Sequence, residues 1–264
     1  MNFFSFYLFR IFLLISHLIL CQMAIAKKQI NIDYSSYQKV LDRYVFEKNG
    51  ETLVDYKNLK ENSVDLNNFI KNMSTIKNSD YQKLTYNEKL AFLINAYNAL
   101  TLKLIIDNYP LKSIRDIGGV LSNPWKKRFF TLLEKYHYLD EIEHNIIRKD
   151  FHEPRIHFAL VCASKGCPSL AKNVFLPENL QNQLQIAATN FLENKKKNYY
   201  KSEEHKLYLS SIFKWYGDDF KEKYKSFNNF VIENISKDNN IKIQIKRSKL
   251  KIEFLEYDWN LNDI

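Results

Sequence analysis

The sequence predicts a single α+β domain in which a central buried helix packs on a mainly antiparallel sheet. Three observations support this prediction. Segments with helical patterning dominate the first half of the chain, short alternating segments typical of strands come late, and neither a repeat nor a Pro/Gly/Ser-rich linker divides them. The 264 residues are enough for one sizeable core.

The first 26 residues have the pattern of a secretory signal peptide. Arg10 is followed by an apolar run, Ile11 to Leu20, and by the small-x-small site Ala24-Ile25-Ala26. Cleavage after Ala26 leaves residues 27–264 as one domain in a periplasmic or secreted protein. An uncleaved anchor is the alternative, although the run is shorter than the ~20 apolar residues of a spanning helix.

Composition limits the classes of partner. The net charge is +9, but Lys far outnumbers Arg, so we interpret the charge as a solvated surface and predict no nucleic-acid partner. Membrane contact is expected only through the signal segment. Five glycines and no G-x-G-x-x-G or G-x-x-x-x-G-K pattern exclude a glycine-rich phosphate loop, and no cofactor is predicted. The sequence sets no oligomeric state.

The segment KLAFLINAYNALTLKLIIDNYP predicts the central helix, over Glu88 to Asp107. Thr85-Tyr86-Asn87-Glu88 has the pattern of a capping box at its start, and Pro110 stops it. Because it is apolar nearly all round, it should be buried. Asn95 and Asn98 lie on one face of it, where they either brace neighbouring loops by hydrogen bonds or line a pocket.

A second helix is predicted from DEIEHNIIR, which Asp140 begins with Glu143 at the capping position. His144 and Arg148 share one face of this helix at i, i+4 spacing.

The stretch RIHFALVCASKGCPSL then predicts a strand, Arg155 to Cys162, that ends in a loop with two cysteines. On an ideal strand, His157 and Cys162 face opposite sides. Cys162 and Cys167 are the cysteines left after signal cleavage, and an oxidising compartment favours a disulfide between them. Zinc is disfavoured, since a structural site takes four Cys or His ligands in paired spacings.

Towards the C-terminus, a helix is predicted near Pro177, and HKLYLSSIFKWYGDDF predicts a strand and a short helix. The segments IKIQIKR and LKIEFLEYDW alternate as strands and are expected to pair.

Five motifs in order, LAFLINAYNAL, LDEIEHNIIR, RIHFALVCASKGCPSL, LSSIFKWYGDDF and EYDWNLN, resemble the DUF547 family over roughly residues 53–262. The family is one of unknown function, so the resemblance implies a fold unit and candidate residues but no reaction. Bacterial members are often exported, which agrees with the signal peptide. Some members resemble this chain but lack the second cysteine, which implies that Cys162 is the more important of the pair. We expect the fold to resemble those of cysteine proteases and transglutaminases.

These residues indicate a cysteine-dependent acyl-transfer enzyme or hydrolase that acts on a peptide, an amide or a small thiol compound. Cys162 is the candidate nucleophile, and a nearby base is needed to form its thiolate. His144 ranks ahead of His157 as that base, because strand alternation points His157 away from Cys162. Asp258, Glu143 or an asparagine would orient the imidazole.

Cys167 is the second candidate nucleophile. Pro168 suits the first position of a helix, so Cys167 would lie at a helix N-terminus, where the helix dipole lowers a thiol pKa.

Two non-catalytic functions compete with the enzyme. The first is a module that binds a small molecule or a peptide, with Asn95, Asn98, His144, Arg148 and Arg155 around an anionic ligand. The second is an envelope-interaction protein with a plain Cys162–Cys167 disulfide.

Overall fold

The computed structural model describes residues 30–119, 123–247 and 250–264. The chain divides into two compact units, 1–32 and 33–264, and every element given below lies in the second. The predicted signal peptide, residues 1–26, lies outside the described residues.

Helices make up most of the domain. The α-helices are α1 (Ser35–Tyr44), α2 (Tyr56–Glu61), α3 (Val64–Ser74), α4 (Asn78–Tyr81), α5 (Tyr86–Asn108), α6 (the continuous segments Leu139–Glu141, Ile142–Ile147 and Arg148–Phe151), α7 (Leu180–Glu193), α8 (Ile212–Tyr216), α9 (Lys221–Tyr224), α10 (Phe227–Asn234) and α11 (Asn239–Arg247). Single 3₁₀ turns are formed by Ile114–Asp116, Pro124–Lys126, Pro154–Phe158, Ser202–Glu204 and Gly217–Phe220. The strands are β1 (Val45–Lys48), β2 (Glu51–Val54), β3 (Phe130–Leu132), β4 (Lys135–His137), β5 (Tyr199–Lys201), β6 (Lys206–Ser210) and β7 (Lys251–Leu255).

Helix α5 is the predicted central helix. The Thr85 hydroxyl accepts from the Glu88 amide while the Glu88 carboxylate accepts from the Thr85 amide, which is a complete capping box. By length and composition α5 could cross a membrane, but 89% of its most apolar window is buried inside the domain. The predicted core positions on it are all buried: Leu93, Ile94, Tyr97, Leu100 and Leu104.

The strands form three small sheets. In the described residues β1–β2, β3–β4 and β5–β6 pair antiparallel, while β6–β7 pair parallel. The predicted α+β class is confirmed. Strands of three to five residues cannot cover a 23-residue helix, so α2, α3 and the middle of α6 pack on α5.

The segment Arg155 to Cys162 is not a strand, which corrects the prediction. Pro154 opens the 3₁₀ turn Pro154–Phe158, and the Glu153 carboxylate caps it by accepting from the Arg155 amide. Ile156 and Phe158 are buried, and so are His157 and Ala159, the residues that alternate with them. The alternation in the sequence therefore does not separate a buried face from a solvent-exposed face. The strand argument that separated His157 from Cys162 therefore does not hold.

The predicted pairing of IKIQIKR with the last strand is also wrong. The first of these segments lies in helix α11, and the Asp238 carboxylate accepts from the Asn240 amide at its start (2.8 Å). Strand β7 instead pairs parallel with β6, with Leu207 opposite Ile252.

Two irregular features bring side chains to one place. The middle of α6, Ile142–Ile147, is a π-helical turn, a geometry often found at functional sites. The tail after β7 crosses the domain, and the amides of Lys165 and Gly166 donate to the carbonyls of Asn260 and Asp258 at 2.8 Å.

Candidate functional site

A cavity of about 360 Å³ lies where helices α5, α6 and α8 meet two irregular segments. These are the cysteine loop (residues 162–167) and the C-terminal tail (residues 256–264). Small-molecule sites typically begin at about 300 Å³. Six aromatic side chains form much of its wall: Tyr97, Trp125, Trp215, Tyr216, Tyr257 and Trp259. Its chemically active lining residues are Asp140, Glu143, His144, His157, Cys162 and Cys167.

Cys162 is a partly exposed residue that lines the cavity. Its Sγ lies 3.0 Å from Oγ of Ser164 and 3.1 Å from the hydroxyl oxygen of Tyr257. A hydrogen bond from the Cys167 thiol, followed by those from Ser164 and Tyr257, lowers the pKa of Cys162 to about 7, although burial raises it. The lowered pKa increases the thiolate fraction of Cys162 near neutral pH.

Cys167 differs from Cys162 in its burial and in the direction of its pKa shift. It is buried, and its Sγ accepts from the Cys162 amide at 2.9 Å. Burial, together with the neighbouring Cys162, raises the pKa of Cys167 well above its ordinary value. No helix begins at Pro168, so the predicted lowering of the Cys167 pKa by a helix dipole is wrong. Both cysteines are free thiols in the structure.

The cysteine loop has little freedom to move. Ala163, directly after Cys162, has φ 60°, a left-handed conformation that costs an L-residue roughly 1–2 kcal/mol. Gly166 packs so closely against the tail that a Cβ there would lie 3.0 Å from the backbone N and O of Asp258. These contacts hold Tyr257 of the tail beside Cys162.

His144 lies in the π-helical turn with both ring nitrogens engaged. A guanidinium only donates, so Nδ1 of His144 accepts from Nη1 of Arg148 at 2.8 Å. The ring proton then belongs on Nε2, which lies 3.2 Å from Oδ1 of Asp140.

His157 is held by Asp219 and Tyr216. Its Nε2 lies 2.7 Å from Oδ2 of Asp219, and its ring stacks on Tyr216 with centroids 4.0 Å apart. Arg148 binds the same carboxylate at both oxygens, at 2.7 Å each. Burial raises the pKa of Asp219, but the hydrogen bonds from His157 and Arg148 outweigh it and hold that pKa well below its usual range.

Glu143 receives its hydrogen bonds from phenols. The Tyr97 hydroxyl donates to Oε2 of Glu143 at 3.0 Å, and Tyr216 also bonds to this carboxylate. Burial first, and Glu143 second, raise the pKa of Tyr97 and Tyr216, so both phenols stay protonated and donate. Glu143 therefore faces the cavity as a carboxylate with neutral donors.

The two asparagines brace loops and do not line the cavity. Asn95 donates to the Phe175 carbonyl at 2.8 Å and accepts from the Phe175 amide at 3.0 Å. Asn98 likewise donates to the Ala159 carbonyl at 2.9 Å and accepts from the Val161 amide at 3.0 Å. Of the two predicted roles, the brace is the one that these contacts fit, and Asn98 fixes the loop that leads to Cys162.

Three other predicted site residues lie outside the cavity. Arg148 is occupied by Asp219, and Arg155 is buried in an ion pair with Glu153 (2.7 Å), so neither offers a free charge for an anionic ligand. Asp258 is exposed and accepts from the amide and side chain of Asn260, so it orients neither imidazole. Within the described part of the chain, no group of three or more His, Cys, Asp and Glu residues could hold a metal ion.

The model of the DUF547 family, described as a protein of unknown function, matches residues 81–192. This segment belongs to the DUF547 family. The match is shorter than the resemblance over residues 53–262, and it contains α5, α6 and both cysteines. No curated protein and no solved structure matches the chain.

The residues that sequence reasoning missed lie mostly beyond the DUF547 match. Tyr257 and the tryptophans Trp215 and Trp259 line the cavity from the C-terminal third of the chain, and Asp219, outside the lining, binds His157. Asp219 and Tyr257 stand in the motifs LSSIFKWYGDDF and EYDWNLN, so the motifs themselves were the signal. Within the DUF547 segment, Ser164 was missed although it stands two residues after Cys162.

Proposed function

We propose that the protein is a cysteine-dependent acyl-transfer enzyme or hydrolase with Cys162 as its nucleophile. The observation that carries this proposal is the Cys162 thiol, which opens on the cavity with a pKa lowered to about 7. Thiolate character together with access is what distinguishes a reactive cysteine from a structural one.

His157 is the proposed acid–base group, in preference to His144. Asp219 binds Nε2 of His157, which is the orienting role of the third member of a triad. His144 is the weaker candidate because Arg148 already occupies the lone pair on its Nδ1. Asp219 thereby takes the role that the sequence assigned to Asp258.

The chemistry needs no further reagent. The thiol proton of Cys162 passes to the imidazole of His157, and the thiolate attacks the acyl carbon to form an S–C bond. The bond from that carbon to the leaving nitrogen, oxygen or sulfur breaks, and the leaving group takes the proton from the imidazolium. Water, or an acceptor amine, then attacks the thioester carbon and gives a proton to His157. The S–C bond breaks and the Cys162 thiolate is restored.

Acyl-enzyme formation tests the proposal. Excess p-nitrophenyl acetate should add one acetyl group to the native protein, and peptide mass spectrometry should place it on Cys162. Cys162→Ser should lose the adduct, while Cys167→Ala, which removes a hydrogen-bond donor to Cys162, should keep it and form it more slowly at pH 7. His157→Ala should slow deacylation more than His144→Ala does. Acetylation no faster than that of the urea-unfolded chain would contradict the proposal.

The alternative function is a ligand-binding or envelope-interaction module with a Cys162–Cys167 disulfide. It is favoured by one contact, the 2.9 Å between the Cys162 amide and Sγ of Cys167, which puts the two residues side by side. Thiol titration of the native protein under non-reducing conditions separates the two functions. Two free thiols exclude the disulfide module, and a bonded pair in every preparation excludes the nucleophile.

We also propose that the protein is exported and cleaved after Ala26. The support is the apolar run of the first 26 residues and the Ala24-Ile25-Ala26 site. Mass spectrometry of the secreted or periplasmic protein should then find Lys27 as its first residue. A membrane-bound chain that still begins at Met1 would show that the segment is an anchor.

A further inference from the structure

We infer that the cavity binds small acyl compounds that carry an ammonium group, with the cation held by Glu143 and the aromatic wall. This inference rests on the proposed function, because it names the substrate class for the thiol of Cys162. The inferred ligand is a cation, whereas the arginines in the sequence suggested an anionic ligand.

The first support is the sign of the charges that face the cavity. Among the described residues that line it, Asp140 and Glu143 are acidic and none is Lys or Arg. This contrasts with the net charge of +9 for the chain. The carboxylates that line the cavity thus have no Lys or Arg beside them in the lining, and low-dielectric walls strengthen the field of such charges.

The two acids are not equivalent. Asp140 lies beside His144, and His144 in turn accepts a hydrogen bond from the Arg148 guanidinium. The negative charge of Asp140 is therefore partly compensated. Glu143 receives its hydrogen bonds from the neutral hydroxyls of Tyr97 and Tyr216. Arg148 also acts on Glu143 electrostatically, but its hydrogen bonds go to Asp219 and His144. Among the described residues Glu143 therefore has no ion-pair partner, and its carboxylate is the one that an incoming cation would use.

The second support is the aromatic wall. Trp215, Tyr257 and Trp259 form one cluster, with ring centroids 4.5 to 5.9 Å apart. Packed at these distances, the three rings form one continuous aromatic surface on the cavity wall, and ring faces attract cations such as alkylammonium groups. Arg115 already lies 5.2 Å from the centroid of Trp259, and Arg148 lies 5.1 Å from that of Tyr216. Within the described structure, Trp215 and Tyr257 are therefore the rings of the cluster left for the cation of a ligand.

The third support is size. A cavity of about 360 Å³ is near the lower end of small-molecule sites, which suits one ammonium group and a short acyl chain. Cys162 and Glu143 line the same cavity, so one small molecule can meet the thiol and the carboxylate together.

A matched pair of probes tests the inference without any turnover. Choline and its uncharged carbon analogue 3,3-dimethylbutan-1-ol have the same shape, and the tryptophans of the wall report binding by fluorescence. Full-length Cys162→Ser protein is titrated, so that no reaction at the thiol intervenes. We expect choline to bind saturably and about tenfold more tightly than the analogue, in line with a desolvated cation–π contact. Equal affinities, or no saturable binding of choline, would overturn the inference.

Variants identify the groups responsible. Glu143→Gln keeps an acceptor for the tyrosines but removes the charge, and it should weaken choline about tenfold while leaving the analogue unchanged. Glu178→Gln, an exposed carboxylate outside the cavity, is the control and should change neither. Trp215 is 45% exposed, so Trp215→Leu should fold and should also weaken choline. Unchanged choline affinity in both cavity variants would contradict the assignment.

The two proposals can fail separately. Choline binding without any acyl adduct on Cys162 would remove the enzyme and leave a cation-binding module. An adduct on Cys162 with no preference for choline would leave the enzyme and remove its proposed substrate class.

Discussion

The asparagine brace, formed by Asn95 and Asn98, and the cavity both hold polar side chains inside the domain, but the partners of those side chains differ. The side-chain amide of Asn95 hydrogen-bonds to backbone groups of one loop through both its nitrogen and its oxygen, and that of Asn98 does the same with another loop. Both side chains are almost fully buried. In the cavity, Glu143 is bound by the hydroxyls of Tyr97 and Tyr216, and Cys162 mainly by the side chains of Cys167, Ser164 and Tyr257, with one backbone hydrogen bond from Ser164. Both residues are partly exposed. Backbone partners fix a loop, whereas side-chain partners can yield to a ligand.

The largest expected effect lies in the brace. Asn98→Ala leaves the Ala159 carbonyl and the Val161 amide buried without their partner, and each unmet group costs about 1–3 kcal/mol. We expect the free energy of unfolding to fall by about 3 kcal/mol in urea titrations. Asn68→Ala, at an exposed position of helix α3, should change it by less than about 0.5 kcal/mol. A loss of similar size at both positions would remove the distinction between brace and surface.

The next effect lies at the contact between the cysteine loop and the tail. Gly166→Ala places a Cβ 3.0 Å from the backbone of Asp258, which cannot yield as a flexible side chain does. Overpacking of this kind costs about 1–3 kcal/mol, and it should also slow labelling of Cys162 by displacing Tyr257. Lys165→Ala, at the exposed neighbouring side chain, serves as the control. Normal stability together with normal labelling in Gly166→Ala would show that the tail does not position the site.

A smaller effect is expected from the Asp219 carboxylate, which binds His157 and Arg148. The pKa of Asp219 is lower in the folded protein than in the unfolded chain, so its contribution to stability is present above about pH 4 and is lost as pH falls further. Asp219→Asn should therefore cost about 1–2 kcal/mol at pH 6, and the difference from the parent protein should shrink towards pH 2. Urea titrations at several pH values measure it. A difference that stays constant with pH would show that Asp219 acts without its charge.

The smallest effect concerns one hydroxyl in the cavity. Tyr257→Phe removes one of the hydrogen bonds that stabilise the Cys162 thiolate, after those of Cys167 and Ser164. The midpoint of Cys162 alkylation should move to higher pH with little change in the free energy of unfolding. Tyr136→Phe, at an exposed ring outside the cavity, should leave the midpoint where it is. A midpoint unmoved by Tyr257→Phe would mean that this hydroxyl does not reach the thiolate.

The part of the fold that rests on local chemistry was predictable. The capping box at Thr85 and the stop at Pro110 define α5 because both act within a few residues. Alternation failed at residues 155–162 and in α11, because it does not distinguish a strand from a short segment buried on all sides or from a helix.

The site was predictable only in part, for a related reason. Cys162, His144, His157 and Glu143 stand in motifs, and all four line one cavity. Their partners come from far along the chain: Asp219 is 71 positions from Arg148 and 62 from His157, and Tyr257 is 95 positions from Cys162. Such pairs leave no periodic signal in a single sequence. From the sequence, Arg148 was therefore predicted to bind a ligand, although in the fold its guanidinium binds the Asp219 carboxylate.

The pH dependence of Cys162 alkylation tests the central claim most directly. Native protein is treated with iodoacetamide from pH 5 to 10, and peptide mass spectrometry follows Cys162 and Cys167 separately. Cys162 should react with a midpoint near pH 7, well before Cys167, whose pKa is raised by burial. His144→Ala should leave that midpoint unchanged, because His144 is absent from the hydrogen bonds that lower the pKa of Cys162. A midpoint at the free-thiol value of about 8.5 or above, or Cys167 reacting first, would contradict an activated Cys162.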